Sequence, residues 1–406
     1  MARGQGRGDG RRVVGYPPPS GRGAGEPDLT TTAASIPNPT SRPLVRRWLQ
    51  FAVMVVGFGI CAVVLAGAIG LEAGVQASLL GLVFAALPLG VVVPAFLWLD
   101  RFEAEPNSML LFAFAWGALV ASVGALVLNT SSLVLLQQSG QDPQTMRAVV
   151  VAPVIEESLK GAGVLILVLF RRREFDGVVD GIVYAGITAA GFAFAENILY
   201  LGRAYHESGG EGLALVFFLR GVMGPFAHPL FTVCTGIGLG VASSTRRPAL
   251  RLIAPALGWL LAIALHGWWN LTTVAGLRGF LSTYVLLQVP VFVAFVSIAL
   301  WARQREGRLI GAALTPYAVA GWLSYPEVAM LSSMPERRRA RVFAKLAGGR
   351  SGLQAMLSFQ DTASELALLR MRMARGTADA QATGTERVLL DALVRLRQVF
   401  VGTAGM

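Results

Sequence analysis

Charge is what this chain has least of. Only 15% of its 406 residues are Asp, Glu, Lys or Arg, against roughly 25% in soluble domains. With 54% hydrophobic residues and several runs of about 20 apolar positions, a soluble globular class is excluded and a polytopic membrane protein expected. Cysteine is almost absent. The two present, Cys61 and Cys234, fall in apolar spans, which argues against a disulfide framework and for packing roles. Lysine is equally scarce: of 35 basic side chains only Lys160 and Lys345 are not arginine. Histidine occurs at three positions, His206, His228 and His266. The net charge of +11 would suggest nucleic acid in a soluble protein, but no nucleic-acid motif accompanies it. The arginines gather in tails and loops instead, as the positive-inside rule and an anionic inner leaflet produce.

Residues 1–43, rich in Gly, Pro, Ser, Thr and Arg, carry no apolar pattern and read as a disordered basic tail. The first apolar run starts only at Trp48, too late and too long for a secretory signal peptide, so it is an uncleaved span. About eight spans are expected, near 48–71, 77–98, 109–136, 147–170, 178–202, 221–243, 252–275 and 281–302. The segments near Glu72 and from Gln137 to Thr145 hold no Arg or Lys. Arg171-Arg172-Arg173, Arg246-Arg247 and Arg303, Arg305 and Arg308 fall at the alternate ends. That bias puts both termini in the cytoplasm of a multi-pass cell-membrane protein. The acidic loop from Asp100 to Pro106 then lies inside as well, the weakest point of this topology.

Leu213–Arg220 is too short to cross and is expected to lie in the outer interface or to re-enter. Glycine pairs Gly177/Gly181 and Gly236/Gly240 have the spacing that lets neighbouring helices approach closely. From Arg303 the pattern turns amphipathic and basic. Residues 303–406 are therefore read as a helical cytosolic tail, a small bundle or a docking element for a cytosolic partner. The fold class is all-α: a tail (1–43), a membrane helix bundle (44–302) and a helical C-terminal segment (303–406).

The polar residues inside the spans carry the chemistry. Glu156, Glu157 and Lys160 interrupt an apolar run. Ionisable groups at that depth cost roughly 2.5–3.5 kcal/mol each on insertion scales, so they mark function by default. Lys160 lies one helical turn from either glutamate. Adjacent glutamates point about 100° apart, so one of the two is expected to face the centre. Glu196 and Asn197, His228 with Thr232, and His266 with Asn270 stand in the next three spans, while His206 lies in a Gly/Ser/Glu loop and reads as solvated. At 1.5 Å per residue the acids and the two intramembrane imidazoles all fall roughly 9–15 Å below the outer face, on helices of alternating direction. Glu and His suit Zn²⁺, a further carboxylate can serve as general base, and Asn270 offers an amide to a developing oxyanion.

Glu156-Glu157-x-x-Lys160, Phe192-x-x-x-Glu196-Asn197, Ala227-His228-Pro229 and His266-x-x-x-Asn270 together resemble the motif set of the PrsW intramembrane proteases, distant relatives of the CAAX prenyl endopeptidases. The resemblance covers roughly residues 48–302. It implies a hydrolase that cuts a membrane-anchored protein substrate in or near the lipid bilayer; in some members this releases an anti-sigma factor. It further implies Glu156 or Glu157 as activator of water, Glu196, His228 and His266 as ligands of Zn²⁺ or positioners of that water, and Asn270 at the oxyanion. Lys160 and Asn197 belong to the same motifs. Two rivals use the same residues differently. One is a proton-coupled transporter or channel with the Glu and His side chains as a relay, though no internal repetition supports it. The other is a signalling scaffold working through its tail.

Overall fold

The computed structural model describes residues 44–401 except 100, 101, 103, 104, 138–142, 172–174, 176, 275, 377 and 379. The basic tail over 1–43, most of the acidic loop, Arg172, Arg173 and most of the 137–145 segment lie outside the described residues. Among the described residues there are helices and no strands. The chain divides into two compact units, with Gln304 and Arg305 on either side of the division.

The first unit begins with α1 (Leu44–Ala73) and α2 (Val75–Leu99), turned at Gly74, whose φ of +80° favours glycine. A long third span follows as α3 (Asn107–Ala115), a wide π-helical turn Trp116–Ala121 and α4 (Ser122–Gln137). Next come α5 (Pro143–Met146), a second wide turn Arg147–Val151 and α6 (Ala152–Phe170). Proline causes that turn. Pro153 has no N–H for the Val149 carbonyl, and the ladder widens just before it. α7 (Val178–Phe217) starts where Asp180 accepts the Gly177 N–H at 2.9 Å, and it runs into a third wide turn, Phe218–Met223. α8 (Ala227–Ser244), α9 (Pro248–Val274), α10 (Gly276–Thr283), the turn Tyr284–Gln288 and α11 (Val289–Val319) complete the apolar part.

Among the described residues, six stretches are long and apolar enough to cross a membrane. One of them, Val178–Ser244, contains both α7 and α8. α6 is not among them because Glu156, Glu157 and Lys160 fall inside its 19 residues. Counted with α6, the spans number about eight, and the chain is a multi-pass membrane protein. Its outer surface is aliphatic: Leu71, Val75, Leu252 and Leu286 are each more than 70% exposed, which suits lipid and not water.

α7 is the central helix; Gly181 to Phe192 is buried at every position. It packs on α1, α2, α3, α6 and α8, and glycine makes the contacts close. A Cβ on Gly181 would sit 2.1 Å from the Gly236 carbonyl, one on Gly236 2.0 Å from the Gly181 carbonyl, and one on Gly240 2.4 Å from that of Gly177. The two Gly-x-x-x-Gly motifs are thus the two faces of one helix crossing. Such backbone proximity supplies the van der Waals packing that replaces hydrophobic drive in lipid. Cys61 and Cys234 are free thiols within helices.

The segment Leu213–Arg220 belongs to a returning limb. Gly209 (φ +63°) breaks α7, and Gly212 lies so close to the first limb that a Cβ there would meet the Ala204 carbonyl at 2.6 Å. Leu213 then packs with Leu201 and Ala85, and the limb passes back to the level of Glu196. At the other end of the bundle, Phe102 and Glu105 of the acidic loop are buried, and the Tyr184 hydroxyl of α7 donates to Glu105 at 2.5 Å.

The second unit holds the end of α11, α12 (Tyr325–Leu331), α13 (Met334–Arg375) and α14 (Ala382–Val401). Ser324 caps α12 through the Glu327 N–H, with Glu327 reaching back to the Ser324 N–H at 2.7 Å. Gly349 (φ +61°) folds α13 into a hairpin. Ile310, Leu314, Leu331, Phe359, Leu366 and Leu390 are buried.

Candidate active site

The polar residues of separate helices meet in one cluster. α6 delivers three of them. Its buried face repeats at Pro153, Glu156, Glu157, Lys160 and Val164, so both glutamates turn inward, in different directions. Glu157 is wholly enclosed. Its Oε1 lies 2.5 Å from Lys160 Nζ and 2.9 Å from His266 Nδ1, and its Oε2 accepts the Thr232 hydroxyl at 2.8 Å. Both of its oxygens are engaged, the condition under which a buried charge persists. Glu156 differs. Asn129 of α4 donates to its Oε1 at 3.3 Å, while its buried Oε2 has no hydrogen-bond partner among the described residues. His266 Nε2 lies 3.7 Å and Lys160 Nζ 4.0 Å from that oxygen.

α8 brings His228 into this space because the chain breaks at Gly224-Pro225 and restarts at Ala227, with Pro229 tolerated in the first turn. His228 Nε2 lies 2.8 Å from Glu196 Oε2, and its Nδ1 3.3 Å from Lys160 Nζ. The two imidazoles are 5.0 Å apart and perpendicular. Phe231 stacks on His266, and Phe192 packs against His228 while its ring lies 4.3 Å from the Lys160 ammonium. The first residue of the Phe192-x-x-x-Glu196 motif is therefore a wall of the site. α9 contributes His266 from a stripe, Ala262, His266 and Trp269, that faces the bundle while Leu260, Leu261 and Trp268 face out.

Glu196 of α7 is held by the returning limb. Arg220 Nη2 pairs with Glu196 Oε2, and Arg220 Nε donates to Asn197 Oδ1 at 2.7 Å. Both of these Glu196 contacts use Oε2; its Oε1 makes none among the described residues. A cavity of about 730 Å³ runs along the cluster, and its lining includes Glu156, Glu196, His228, Arg220, Asn129 and Asn270, but not Glu157, Lys160, His266 or Asn197. Of the paired glutamates, Glu156 is the one that meets the cavity.

Asn270 lines the cavity, yet its amide donates to the Ala148 carbonyl at 2.8 Å. Next to it, Gly267 lets α9 approach the Val149 carbonyl so closely that a Cβ would come within 2.4 Å. α9 thus serves the carbonyls that the wide turn before Pro153 exposes. Thr232 donates to Glu157 and not to an imidazole, and His206 is exposed, away from the cluster. Arg220 and Asn129 were not among the residues singled out from sequence. The signals for them were the Gly209-Gly210 break ahead of Arg220 and the polar run Asn129-Thr130-Ser131-Ser132 inside an apolar span.

Glu156, His228 and His266 each present one donor atom, and the three lie within 4.8 Å of one another. One carboxylate and two imidazoles are a donor set that suits zinc. The unpartnered Glu156 Oε2 is the observation that makes the set fit a cation, and the Glu157 acceptor on His266 Nδ1 orients that ring as outer-shell carboxylates do. Sequence reasoning placed Glu196 in the ligand set and Glu156 or Glu157 at the water. The geometry groups Glu156 with the imidazoles and ties Glu196 to Arg220.

The family model described as PrsW family intramembrane metalloprotease matches residues 105–295. Protease PrsW of Oceanobacillus iheyensis is 29% identical over 227 residues, 56% of this chain and 96% of that protein. Protease PrsW of Geobacillus kaustophilus is 31% identical over 188 residues, 46% of this chain and 76% of that protein. Protease PrsW of Bacillus subtilis is 26% identical over 219 residues, 52% of this chain and 89% of that protein. No solved structure matches the chain. With its glutamates and histidines gathered inside a bundle of membrane helices, the chain belongs to the PrsW family of intramembrane metalloproteases.

Proposed function

We propose that this protease hydrolyses a peptide bond of a membrane-anchored protein, with Glu156, His228 and His266 as zinc ligands and Glu196 as the base that takes a proton from the attacking water. The observation that carries the reading is the convergence of those three donors beside a cavity that also exposes Glu196. When bound, Zn²⁺ supplies a polarised water and charge stabilisation for the tetrahedral oxyanion. The protein does the rest. Arg220 holds one oxygen of Glu196, and Glu196 lines the cavity, where its carboxylate can accept the proton. Asn129 holds Glu156, and Glu157 orients His266 through Nδ1. Lys160 neutralises Glu157, so the two neighbouring carboxylates are not left to repel each other.

Arginines at alternate span ends support cytoplasmic termini in the cell membrane, with the site in the outer half of the bilayer. On that orientation residues from 303 onward form a cytosolic helical segment, and an anti-sigma factor is one candidate substrate.

The experiment is to measure zinc content and cleavage of a membrane-anchored reporter for two variants. Glu156→Gln should lose both. Glu196→Gln should keep zinc and lose cleavage by about 10²–10⁴-fold, the usual worth of a general base. Full activity in either variant would reject its assigned role.

A further inference from the structure

Three guanidinium groups line the cavity, and their partners differ. Arg220 pairs with Glu196, and Arg203 pairs with Glu72. Arg147, half-buried, makes no hydrogen bond or ion pair among the described residues. It is also anchored: the wide turn Arg147–Val151 that carries it is held to α9 by the Asn270 amide on Ala148 and by the close approach of Gly267 to Val149. Widened turns of this kind recur at functional sites. Of the carboxylates on the same wall, Glu72 and Glu196 pair with arginine, and Glu156 lies near His266 and Lys160. Among the described residues one cation is left over, in a place of reduced dielectric where an anionic group from outside would be bound well.

We infer that Arg147 is a specificity-determining residue that receives an acidic side chain of the substrate. The inference rests on the hydrolase reading above. Helix geometry sets the register. Arg147 precedes Glu156 by ~13 Å of helix axis at 1.5 Å per residue, which equals about four residues of extended chain at 3.3 Å each. A substrate strand lying along α6 with its scissile bond at Glu156 therefore presents to Arg147 an Asp or Glu about four residues from that bond. A guanidinium donates two parallel hydrogen bonds to such a carboxylate.

The test uses the full-length protein in phosphatidylcholine nanodiscs and internally quenched peptides of one apolar frame. Each carries Asp, Asn or Lys about four residues to one side or the other of the scissile bond. Wild-type protein should prefer Asp over Asn by roughly tenfold to a hundredfold, the worth of one hydrogen bond to a charged group. The preference should appear in KM and on one side only, and Arg147→Glu should reverse the order in favour of Lys. Binding of the same peptides to the Glu156→Gln protein should follow the same ranking without turnover. Equal rates for the three peptides, or a ranking unchanged by Arg147→Glu, would overturn the inference while leaving the protease reading intact. A loss in Arg147→Glu that is alike for all peptides and depends on added anionic lipid would assign the arginine to a headgroup, and would overturn it too. Failure of wild-type protein to cleave any of them would instead remove the hydrolase reading and this inference with it, and cleavage undiminished in Glu156→Gln would reject the role of Glu156 and the register drawn from it.

Discussion

The two units bury charge in opposite ways. In the C-terminal unit Arg337 is 1% exposed; its Nε donates to the Leu331 carbonyl at 2.8 Å and its Nη2 to the Ser364 hydroxyl at 2.6 Å. Both of these acceptors are neutral, the carboxylates of Asp361 and Glu306 act on its charge, and the Gln360 amide donates to the Arg337 carbonyl at 3.0 Å. Such an arrangement fixes packing around a compensated charge. In the membrane unit, Glu157 is equally enclosed and has both oxygens engaged, but its neighbour on the helix, Glu156, keeps a buried oxygen with no hydrogen-bond partner among the described residues. Burial alone therefore does not mark function. An unmet valence among titratable neighbours, next to a cavity, does.

The comparison is broken or sharpened by substitutions on each side, taken here from the largest expected effect. Gly236→Leu puts a branched side chain where a Cβ alone would approach the Gly181 carbonyl to 2.0 Å. The α7–α8 crossing should open and folded protein be lost, visible as aggregation in size-exclusion chromatography. A folded, active variant would show that the crossing is not tight. Lys160→Met leaves Glu157 a buried, under-compensated anion and should cost about 3–5 kcal/mol, read as a lower melting temperature in detergent; an unchanged melt would mean Glu157 is neutral. Asn270→Ala frees the Ala148 carbonyl and should cost about 1–3 kcal/mol, accompanied by weaker selectivity among the charged peptides because the Arg147 turn loosens. Arg337→Leu should also cost about 1–3 kcal/mol, through the two acceptors it abandons, and leave cleavage per folded molecule unchanged. Lost cleavage there would tie the C-terminal unit to the chemistry.

Much of the membrane fold was legible because lipid imposes one rule, long apolar helices, and the exceptions to it are conspicuous. Glu156, Glu157, Glu196, His228 and His266 could be found as interruptions of that rule, and the two Gly-x-x-x-Gly motifs as a crossing. What composition does not encode is direction. Which of two adjacent glutamates meets the cavity depends on how α6 is rotated against α4 and α9, and it took the contacts of Asn129 and His266 to decide it. Arg220 was hidden for another reason: it reaches Glu196 only because the chain doubles back at Gly209, and a sequence gives no register for a returning limb. Asn270 has the right type for an oxyanion donor, but the Pro153 turn supplies a competing carbonyl that the sequence did not reveal.

The most direct test of the central claim is X-ray absorption spectroscopy of the zinc-loaded protein. The account predicts a first shell of two imidazole nitrogens and a carboxylate oxygen, with one nitrogen lost in His228→Ala and one in His266→Ala. Failure to take up zinc, or a shell unaltered by either substitution, would contradict it.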